Sequence, residues 1–350
     1  MLIGIPKETQ KGEQRVALIP KHVKLLVKDN HTVLVERSAG IRAGFPDRLY
    51  RAAGADIVAD VSSCKMIVSV KPPLLSSIKK HQIMMAYLHI DKGQNPRLLN
   101  ALLRKEVTAY AYEEIRGKSG RRLINLGYDA GLIGMYLGLR LYGKNLEKHG
   151  KRNFLNLPQA RRNNSLNSLL EKVKKLRGAK LNVVVMGKGN VSRGVQRLCK
   201  AMSVKPQVLW RDKTPFIEEY IPEADILVNA VVWKPGEPHI IRRSVLKLFK
   251  STALILDISC DKRGAVETCK PHAWTEPPYT VRGVLHYCAF NIPSALPKSS
   301  SEHLSKMIVD SVRKVANNVS LDTGLMTEGG VFVYNEFKNK RNKKKKSQKT

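Results

Sequence analysis

Residues 183–194 read VVVMGKGNVSRG, and they carry the clearest fold signal in the chain. Four apolar residues predict a buried strand, and the apolar pattern that follows the loop predicts a helix. Between them, Gly187 and Gly189 permit a tight turn and let backbone amides approach a pyrophosphate at the helix N-terminus. Asn190 and Val191 complete the predicted cofactor loop. A strand, a glycine loop and a helix in this order predict a Rossmann-type dinucleotide-binding domain.

The residue after the next strand bears on the identity of the dinucleotide. A strand is predicted at 207–210, and Arg211 follows it. NAD-binding enzymes usually place an acid there for the ribose 2′-hydroxyl, whereas Arg211 offers a cation for a 2′-phosphate. The sequence therefore favours NADP(H), and Asp212 keeps NAD(H) as the alternative.

Two later strands are predicted to complete the cofactor crevice, at 225–230 and 254–259. The carboxyl ends of parallel strands line such a crevice. We therefore expect Val231 and Asp257 among the cofactor-binding residues.

The first half of the chain also alternates strands with helices, and 350 residues suffice for two domains. We predict an α/β fold with two Rossmann-like domains around a cleft, the first of them discontinuous. The predicted parts are a substrate and catalytic domain at 1–126 and 300–337, an NAD(P)-binding domain at 127–299, and a disordered basic tail at 338–350.

A glycine-rich apolar stretch spans residues 127–143, with glycines at 127, 131, 134 and 138. This spacing places the glycines on one face of a helix, where another group can approach the backbone closely. A neighbouring helix and a ligand explain the pattern equally well.

The formal net charge of +33 is the unusual bulk property of the chain. The last thirteen residues carry eight Lys or Arg and no acid. Such charge can attract nucleic acid or a membrane surface, but charge runs are most often solvated. Because no nucleic-acid-binding motif accompanies the charge, we expect no nucleic-acid partner.

The five cysteines are scattered and form no CxxC pair, which argues against a metal site or a disulfide framework. No stretch approaches the roughly 20 apolar residues needed to cross a bilayer, and the first residues do not resemble a secretory signal. We expect a cytoplasmic protein, and the sequence leaves its oligomeric state open.

Four side chains of the first half have the chemistry of a reacting site. Arg15 and Arg122 can form forked contacts with the carboxylate of an acidic substrate. Lys71 ends a predicted strand and precedes two prolines. His89 ends another strand, and imidazole suits proton transfer near neutral pH. Each residue taken alone is more often a surface or structural group, so spacing leaves their roles open.

Several motifs recur together in one known group of enzymes. They are IGIPKE at 3–8, EQRVALIP at 13–20, GFPD at 44–47, AAGA at 52–55, VKPP at 70–73, LH at 88–89, DISCD at 257–261 and NIPSALP at 291–297. Together they resemble the superfamily of alanine dehydrogenase, saccharopine dehydrogenase, carboxyethylornithine synthase and the first domain of proton-translocating transhydrogenase. The resemblance extends from about residue 2 to residue 315.

The resemblance implies roles for individual residues. Arg15 and Lys71 would hold the substrate carboxylate, and Lys71 would also polarise the carbonyl. His89 would be the general acid and base. Asp261 would lie near the nicotinamide, and Asn291 would contact the reacting centre.

The middle of the chain is similar to two enzymes of this superfamily, both of which join an amino acid to a 2-oxo acid. The stretch HIDKGQ at 89–94 resembles a block of saccharopine dehydrogenase, although Phe290 replaces an aspartate of that enzyme. The loop 187–194, with Ser192 at the third glycine position, and Arg211 are similar to the NADPH-using carboxyethylornithine synthase.

We therefore predict an NAD(P)H-dependent amino-acid or opine dehydrogenase, an oxidoreductase that acts on CH–NH groups. It would condense the amine of an amino acid with a 2-oxo acid such as pyruvate or 2-oxoglutarate and reduce the imine. The alternative in the same family is alanine dehydrogenase, which uses pyruvate and ammonia. An alternative of another class is an NADP-binding scaffold whose basic surface engages nucleic acid or a membrane.

Overall fold

The computed structural model describes residues 1–90, 95–234 and 236–334. The chain forms two compact units, one of Met1–Asn125 with the segment from Ser300 onward, and one of Leu126–Ser299. Most of the stretch 89–94 and the whole predicted tail lie outside the described residues. Both units are α/β folds and the first is discontinuous, so the predicted fold class is confirmed.

The elements are numbered in chain order along the described residues. The strands are β1 (Leu2–Ile5), β2 (Thr32–Glu36), β3 (Asp56–Val58), β4 (Met66–Val68), β5 (Ile83–Ala86), β6 (Thr108–Ala111), β7 (Val183–Met186), β8 (Gln207–Leu209), β9 (Ile226–Asn229), β10 (Leu254–Asp257), β11 (His272–Ala273), β12 (Tyr279–Val281), β13 (Val284–Tyr287), β14 (Ala289–Phe290), β15 (Leu325–Glu328) and β16 (Val331–Phe332). The α-helices are α1 (Pro20–Lys28), α2 (Asp47–Ala52), α3 (Pro96–Arg104), α4 (Gly127–Lys148), α5 (Leu166–Lys174), α6 (Asn190–Ala201) and α7 (Pro297–Ala316). Proline opens α1, α3 and α7, where its fixed φ suits the first helical position and its missing N–H costs nothing.

The first unit is built on an eight-stranded sheet in the order β16-β15-β6-β5-β4-β1-β2-β3. Strands β1 to β6 pair in parallel, and β15 and β16 add an antiparallel edge. The chain winds outward from β1 through β2 to β3 and then crosses to β4 on the other side of β1. Such a reversal opens a crevice at the carboxyl ends of β1 and β4.

Helix α7 returns the chain to the first unit and holds the motif at 13–20 in place. The Ser301 hydroxyl accepts a hydrogen bond from the Val16 amide, and the Ser305 hydroxyl accepts one from the Ile19 amide, each 3.0 Å long. Both serines are buried. The late segment is therefore an integral part of the first unit.

The second unit has a six-stranded sheet in the order β12-β13-β10-β9-β7-β8. All neighbours pair in parallel except β12 with β13, and β11 pairs with β14 in a separate small sheet. The chain crosses from β8 to β9 on the other side of β7, which repeats the reversal of the first unit. This is the Rossmann-like arrangement that the glycine loop predicts.

The glycine face of α4 packs against α6. A Cβ at Gly131 would lie 1.9 Å from the Val191 carbonyl oxygen, and a Cβ at Gly194 would lie 2.1 Å from the Tyr128 carbonyl oxygen. Only glycine lets the two backbones approach so closely. Contact with α6 therefore accounts for Gly131. A Cβ at Gly134 or Gly138 would lie 2.8 Å from the side chain of Ile258 or Leu256, so these two glycines are explained by packing against the end of β10.

Every helix among the described residues is too short or too polar to cross a bilayer.

Candidate functional site

The crevice of the first unit begins at Glu8, just after β1. Its Oε1 accepts a hydrogen bond of 2.6 Å from the Val70 amide, and its Oε2 accepts one of 3.1 Å from the Lys71 amide. The carboxylate thus joins the carboxyl end of β1 to the segment that follows β4, which fixes the backbone of Lys71. Burial, together with the charge of Glu13, raises the pKa of Glu8 to about 8.

Lys71 points toward an aromatic ring. Its Nζ lies 5.8 Å from the centroid of the Tyr87 ring, and burial, followed by the charge of Arg15, lowers the pKa of its ammonium group. The Tyr87 ring also stacks on the His89 ring, with centroids 6.1 Å apart and planes at 12°. Lys71, Tyr87 and His89 therefore form one row, which we call the Lys71–His89 row.

His89 is held in an unusual backbone conformation with φ 51°. Its amide donates a hydrogen bond to Glu113 Oε1, and its Nδ1 lies 3.6 Å from the same oxygen. Glu113 is buried, whereas the His89 side chain is 49% exposed. The carboxylate thus orients the imidazole from one side, while about half of the ring stays accessible to solvent.

Arg15 is buried and already has a carboxylate partner. Its Nε and Nη2 donate to the two oxygens of Glu13 at 2.7 and 2.6 Å. A guanidinium has five N–H donors, so Nη1 and the second hydrogen of Nη2 are not used in this pair. Arg15 is close enough to Lys71 to lower the pKa of that lysine.

Arg122 lies in a different ion-pair network. Its Nη2 is 3.6 Å from Glu114 Oε1, and the same carboxylate pairs with Arg116 and accepts a hydrogen bond from the Tyr334 hydroxyl. The structure therefore brings Arg15, Lys71 and His89 into one neighbourhood and pairs Arg122 with Glu114.

The carboxylates of this neighbourhood and Tyr87 are not among the site residues that the sequence predicts. Glu8 and Glu13 lie inside the motifs quoted above, and Glu113 follows β6 closely. Position at the carboxyl end of a parallel strand is the signal that could have identified Glu8 and Glu113.

In the second unit, the predicted glycine loop connects β7 to α6. Gly187 has φ 106°, and a Cβ there would lie 2.6 Å from the Ala230 carbonyl oxygen. A Cβ at Gly189 would meet no atom within 4 Å among the described residues. Helix α6 begins at Asn190 without a side-chain cap from the described part of the chain. Because the first amides of a helix lack partners inside it, this end offers N–H donors to a ligand.

The edge of the loop carries exposed cations. Lys188 Nζ lies 4.8 Å from the centroid of the Trp210 ring, which is 50% exposed. Arg211, Asp212 and Lys213 follow that tryptophan and are all exposed.

Polar groups at the ends of β9 and β10 are bound to one another. Asn229 Nδ2 donates to Asp257 Oδ1 at 2.9 Å, and the Ser259 hydroxyl donates to the Val231 carbonyl oxygen at 2.6 Å. Asp257 is only 1% exposed, and burial raises its pKa to about 6. The Asp257 side chain is therefore in contact with other groups of the protein and not with solvent.

The two late candidates lie beyond these strands. Asp261 is half-buried in the loop after β10. Asn291 has φ 57°, and its buried Nδ2 has no hydrogen-bond partner in the described ranges. An amide donor of this kind is available to a ligand.

A glycine loop at a helix N-terminus and a lysine–histidine row at a second crevice define a nicotinamide-dinucleotide-dependent oxidoreductase, and comparisons with known proteins agree. Residues 4–133 match the model of the alanine dehydrogenase/PNT N-terminal domain, and residues 163–333 match that of the C-terminal domain. Alanine dehydrogenase of Bacillus subtilis (strain 168) is 31% identical over 95% of this chain and 93% of its own length. That of Methanococcus maripaludis is 29% identical over 95% of each chain.

Solved structures give the same result. An L-alanine dehydrogenase superposes with a TM-score of 0.78 at 27% identity, covering 97% of this chain and 98% of its own. A transhydrogenase from Sinorhizobium meliloti, at 20% identity and a TM-score of 0.70 over 95% and 99% of the two chains, shares the fold. The chain belongs to the alanine dehydrogenase/PNT family, which confirms the resemblance found in its sequence.

Proposed function

We propose that the protein is an alanine dehydrogenase, which interconverts L-alanine with pyruvate and ammonia. The observation that carries the proposal is the Lys71–His89 row, in which a half-buried lysine and a half-exposed histidine flank one aromatic ring. The relatives named alanine dehydrogenase favour this reaction over the opine reaction that the sequence predicts.

The first unit would bind the substrate. The remaining donors of Arg15 and the ammonium of Lys71 would hold the carboxylate, and Lys71 would polarise the carbonyl of pyruvate. In the oxidative direction, His89 would take a proton from the water that attacks the imine, and Glu113 would keep its ring oriented for this transfer. Arg122 would contribute little to substrate binding, because its guanidinium already forms an ion pair with Glu114.

The second unit would bind the nicotinamide cofactor, which supplies the hydride acceptor of the oxidative reaction. The residues present fit it, because the open space at Gly189 is where a side chain would block a pyrophosphate. The amides of Asn190 and Val191 would donate to the pyrophosphate oxygens, and Gly187 would provide the tight turn before them.

Residues from the ends of β9 and β10 and from the loop before α7 would line the rest of the cofactor site. Val231, Asp261 and Asn291 are the proposed lining residues, and the unused amide donor of Asn291 suits a polar group of the nicotinamide. Asp257 would act through Asn229, whose side chain it binds.

NADP(H) is the proposed cofactor, with NAD(H) as the alternative. Arg211 and Lys188 place two cations beside Trp210 at the end of β8, where a 2′-phosphate would lie. Arg211→Ala should lower the kcat/KM ratio of NADPH to NADH by about 10-fold, as expected for loss of one charge-assisted contact. Lys200→Ala, an exposed cation at the other end of α6, is the control. An unchanged ratio in Arg211→Ala would contradict the assignment.

The reaction is tested with the purified full chain, pyruvate, ammonium and either reduced cofactor, by the loss of cofactor absorbance. Alanine dehydrogenase activity requires turnover with ammonium alone. Turnover that needs an amino acid in place of ammonium would replace this proposal with the opine reaction. No turnover with any amine would reject both reactions.

A further inference from the structure

Three of the five cysteines, distant in sequence, converge on one aspartate in the second unit. The Sγ atoms of Cys269 and Cys288 and a carboxylate oxygen of Asp257 lie within 4.8 Å of one another, and all three residues are buried. The thiol of Cys260 lies beside this group, because its Sγ donates a hydrogen bond to the Cys288 carbonyl oxygen at 2.9 Å.

The fold explains the convergence. Leu256 pairs with Tyr287 in the β10–β13 register, which brings the next residues, Asp257 and Cys288, side by side. The sequence argues against a metal site because its cysteines lack a ligand spacing, and spacing does not reveal this register.

The carboxylate of Asp257 is oriented by its neighbours. Its Oδ1 accepts hydrogen bonds from Asn229 Nδ2 at 2.9 Å and from the Cys260 amide at 2.8 Å. Its Oδ2 is buried and has no well-formed hydrogen bond in the described portions of the chain, with the weak thiol donor of Cys269 nearby. Buried carboxylate oxygens are costly unless a strong donor or a cation satisfies them. Oδ2 therefore indicates a place for a positive partner.

We propose that one structural zinc ion is bound by four side chains, those of Asp257, Cys269 and Cys288 with Cys260 as the fourth ligand. Cys260 is the fourth ligand because its Sγ already lies 2.9 Å from the Cys288 carbonyl oxygen. Rotation about its side-chain bonds can turn that sulfur toward the ion. Thiolates select zinc over magnesium or calcium, and four protein ligands make a closed, structural site rather than a catalytic one.

Outer contacts support the ligands. The Tyr279 hydroxyl lies 3.1 Å from Cys288 Sγ and 3.0 Å from the Thr268 carbonyl oxygen. It can donate its proton to either, so it can donate to Cys288 once that sulfur is a thiolate. Asn229 holds Asp257 in the same way. Such contacts orient ligands and strengthen metal binding.

The charges around the cluster bear on the stage at which the zinc ion binds. A cavity of about 690 Å³ opens next to Cys269, and the four cations in its lining, Arg243, Lys262, Arg263 and Lys270, outnumber the single acid, Glu267. These cations repel a divalent ion on its way to the thiols. We therefore expect zinc to bind while the unit folds, and it would then tie the segment around Cys269 to the ends of β10 and β13.

The test uses the full chain from cells grown with added zinc, purified without chelators, and a second sample refolded with Co²⁺. We expect about one zinc per chain by elemental analysis and, for the cobalt protein, an intense thiolate-to-cobalt absorption band in the near ultraviolet. Cys269→Ser and Asp257→Asn should each weaken metal binding at least about 10-fold. Cys64→Ala and Cys199→Ala, which alter cysteines outside the cluster, should retain one metal per chain.

Three results would overturn the proposal. The first is wild-type protein without stoichiometric zinc whose refolded form shows no thiolate-to-cobalt band. The second is Cys269→Ser or Asp257→Asn protein that binds zinc as tightly as wild type. The third is a disulfide within the cluster, detected as fewer than five titratable thiols in the denatured, unreduced chain. The wild-type spectrum decides the matter even if a variant fails to fold.

Discussion

The two sheets of this protein have the same winding but different groups at their carboxyl ends. In the first unit, ionisable side chains line the crevice between β1 and β4, among them Glu8, Arg15 and Lys71. In the second unit, the equivalent edge of β7 is formed by backbone, with Gly187 in a tight turn and Gly189 beside open space.

One arrangement of strands can thus bind two chemically different partners. A small acid offers one carboxylate and one reacting carbon, so it must be recognised by side chains that reach it. A dinucleotide offers a long pyrophosphate, which binds best to exposed amides. The comparison therefore predicts that substitutions in the first crevice impair chemistry and those in the second impair cofactor affinity.

Of the substitutions in the two crevices, Lys71→Met should impair turnover most. Loss of the group that polarises the carbonyl should lower kcat/KM about 10³-fold, within the range for loss of one donor to a developing oxyanion. Cofactor affinity, measured by fluorescence titration, should be unchanged. Lys79→Met, an exposed lysine eight residues later, should behave as wild type. An equal loss in both variants would contradict the role of Lys71.

His89→Asn should lower kcat about 10²-fold, because the imidazole that acts as general acid and base would be lost. Asparagine tolerates the left-handed backbone at this position, where φ is 51°. His81→Asn is the matched control, since His81 is also exposed and has φ 58°. If the two variants were equally slow, the effect would come from the backbone and not from the imidazole.

In the second crevice, Gly189→Val should raise the cofactor Kd about 30-fold, since a branched side chain would occupy the space proposed for the pyrophosphate. The thermal midpoint should change little, because a Cβ at this position meets no described atom within 4 Å. Gly178→Ala, also open but at φ 85°, should lose some stability and keep its cofactor affinity. Unchanged affinity in Gly189→Val would remove the main support for this cofactor site.

A weaker effect should be seen in how the stability of the protein depends on pH, through Glu8 in the first crevice. Folding raises the pKa of Glu8 from 4.5 to about 8, so between these values the folded state holds a proton that the unfolded state has released. The contribution of Glu8 to stability is therefore complete below pH 4.5 and is lost as pH rises toward 8.

Urea unfolding at about pH 6, 7 and 8 isolates the contribution of Glu8. The wild-type midpoint should decrease over this range, and Glu8→Gln should flatten the decrease. Glu328→Gln, at an exposed position of β15, should keep the wild-type slope. Parallel slopes in wild type and Glu8→Gln would show that Glu8 is ionised throughout.

The sequence predicted those features that depend on neighbouring residues. The turn at Gly187 needs a positive φ, which glycine supplies locally, and the periodicity of 127–143 predicted a helix with a glycine face. The sequence does not predict which element packs against that face, because α4 and α6 are far apart in the chain and meet only through the tertiary fold.

The features that the sequence missed depend on contacts between distant residues. Glu113 reaches His89 across 24 positions, because β5 and β6 are neighbours and their carboxyl ends coincide. Cys269 and Cys288 meet Asp257 through the fold of the second unit, where β10 lies in register with β13. Neither contact produces a residue spacing that can be recognised in a single sequence. The sequence alone therefore predicts neither the carboxylate partner of His89 nor the cluster of cysteines at Asp257.

The hydrogen bonds from Val16 and Ile19 to serines of α7 also set an order of events during synthesis. The Val16 amide, next to Arg15, binds a hydroxyl 285 positions later in the chain. On the ribosome, the second unit is complete before that serine has been made, so it can fold while the first unit still lacks its last pieces. The arginine proposed to bind substrate therefore reaches its final surroundings only after the second unit has been synthesised. Nascent chains should become able to bind cofactor before they can turn over substrate.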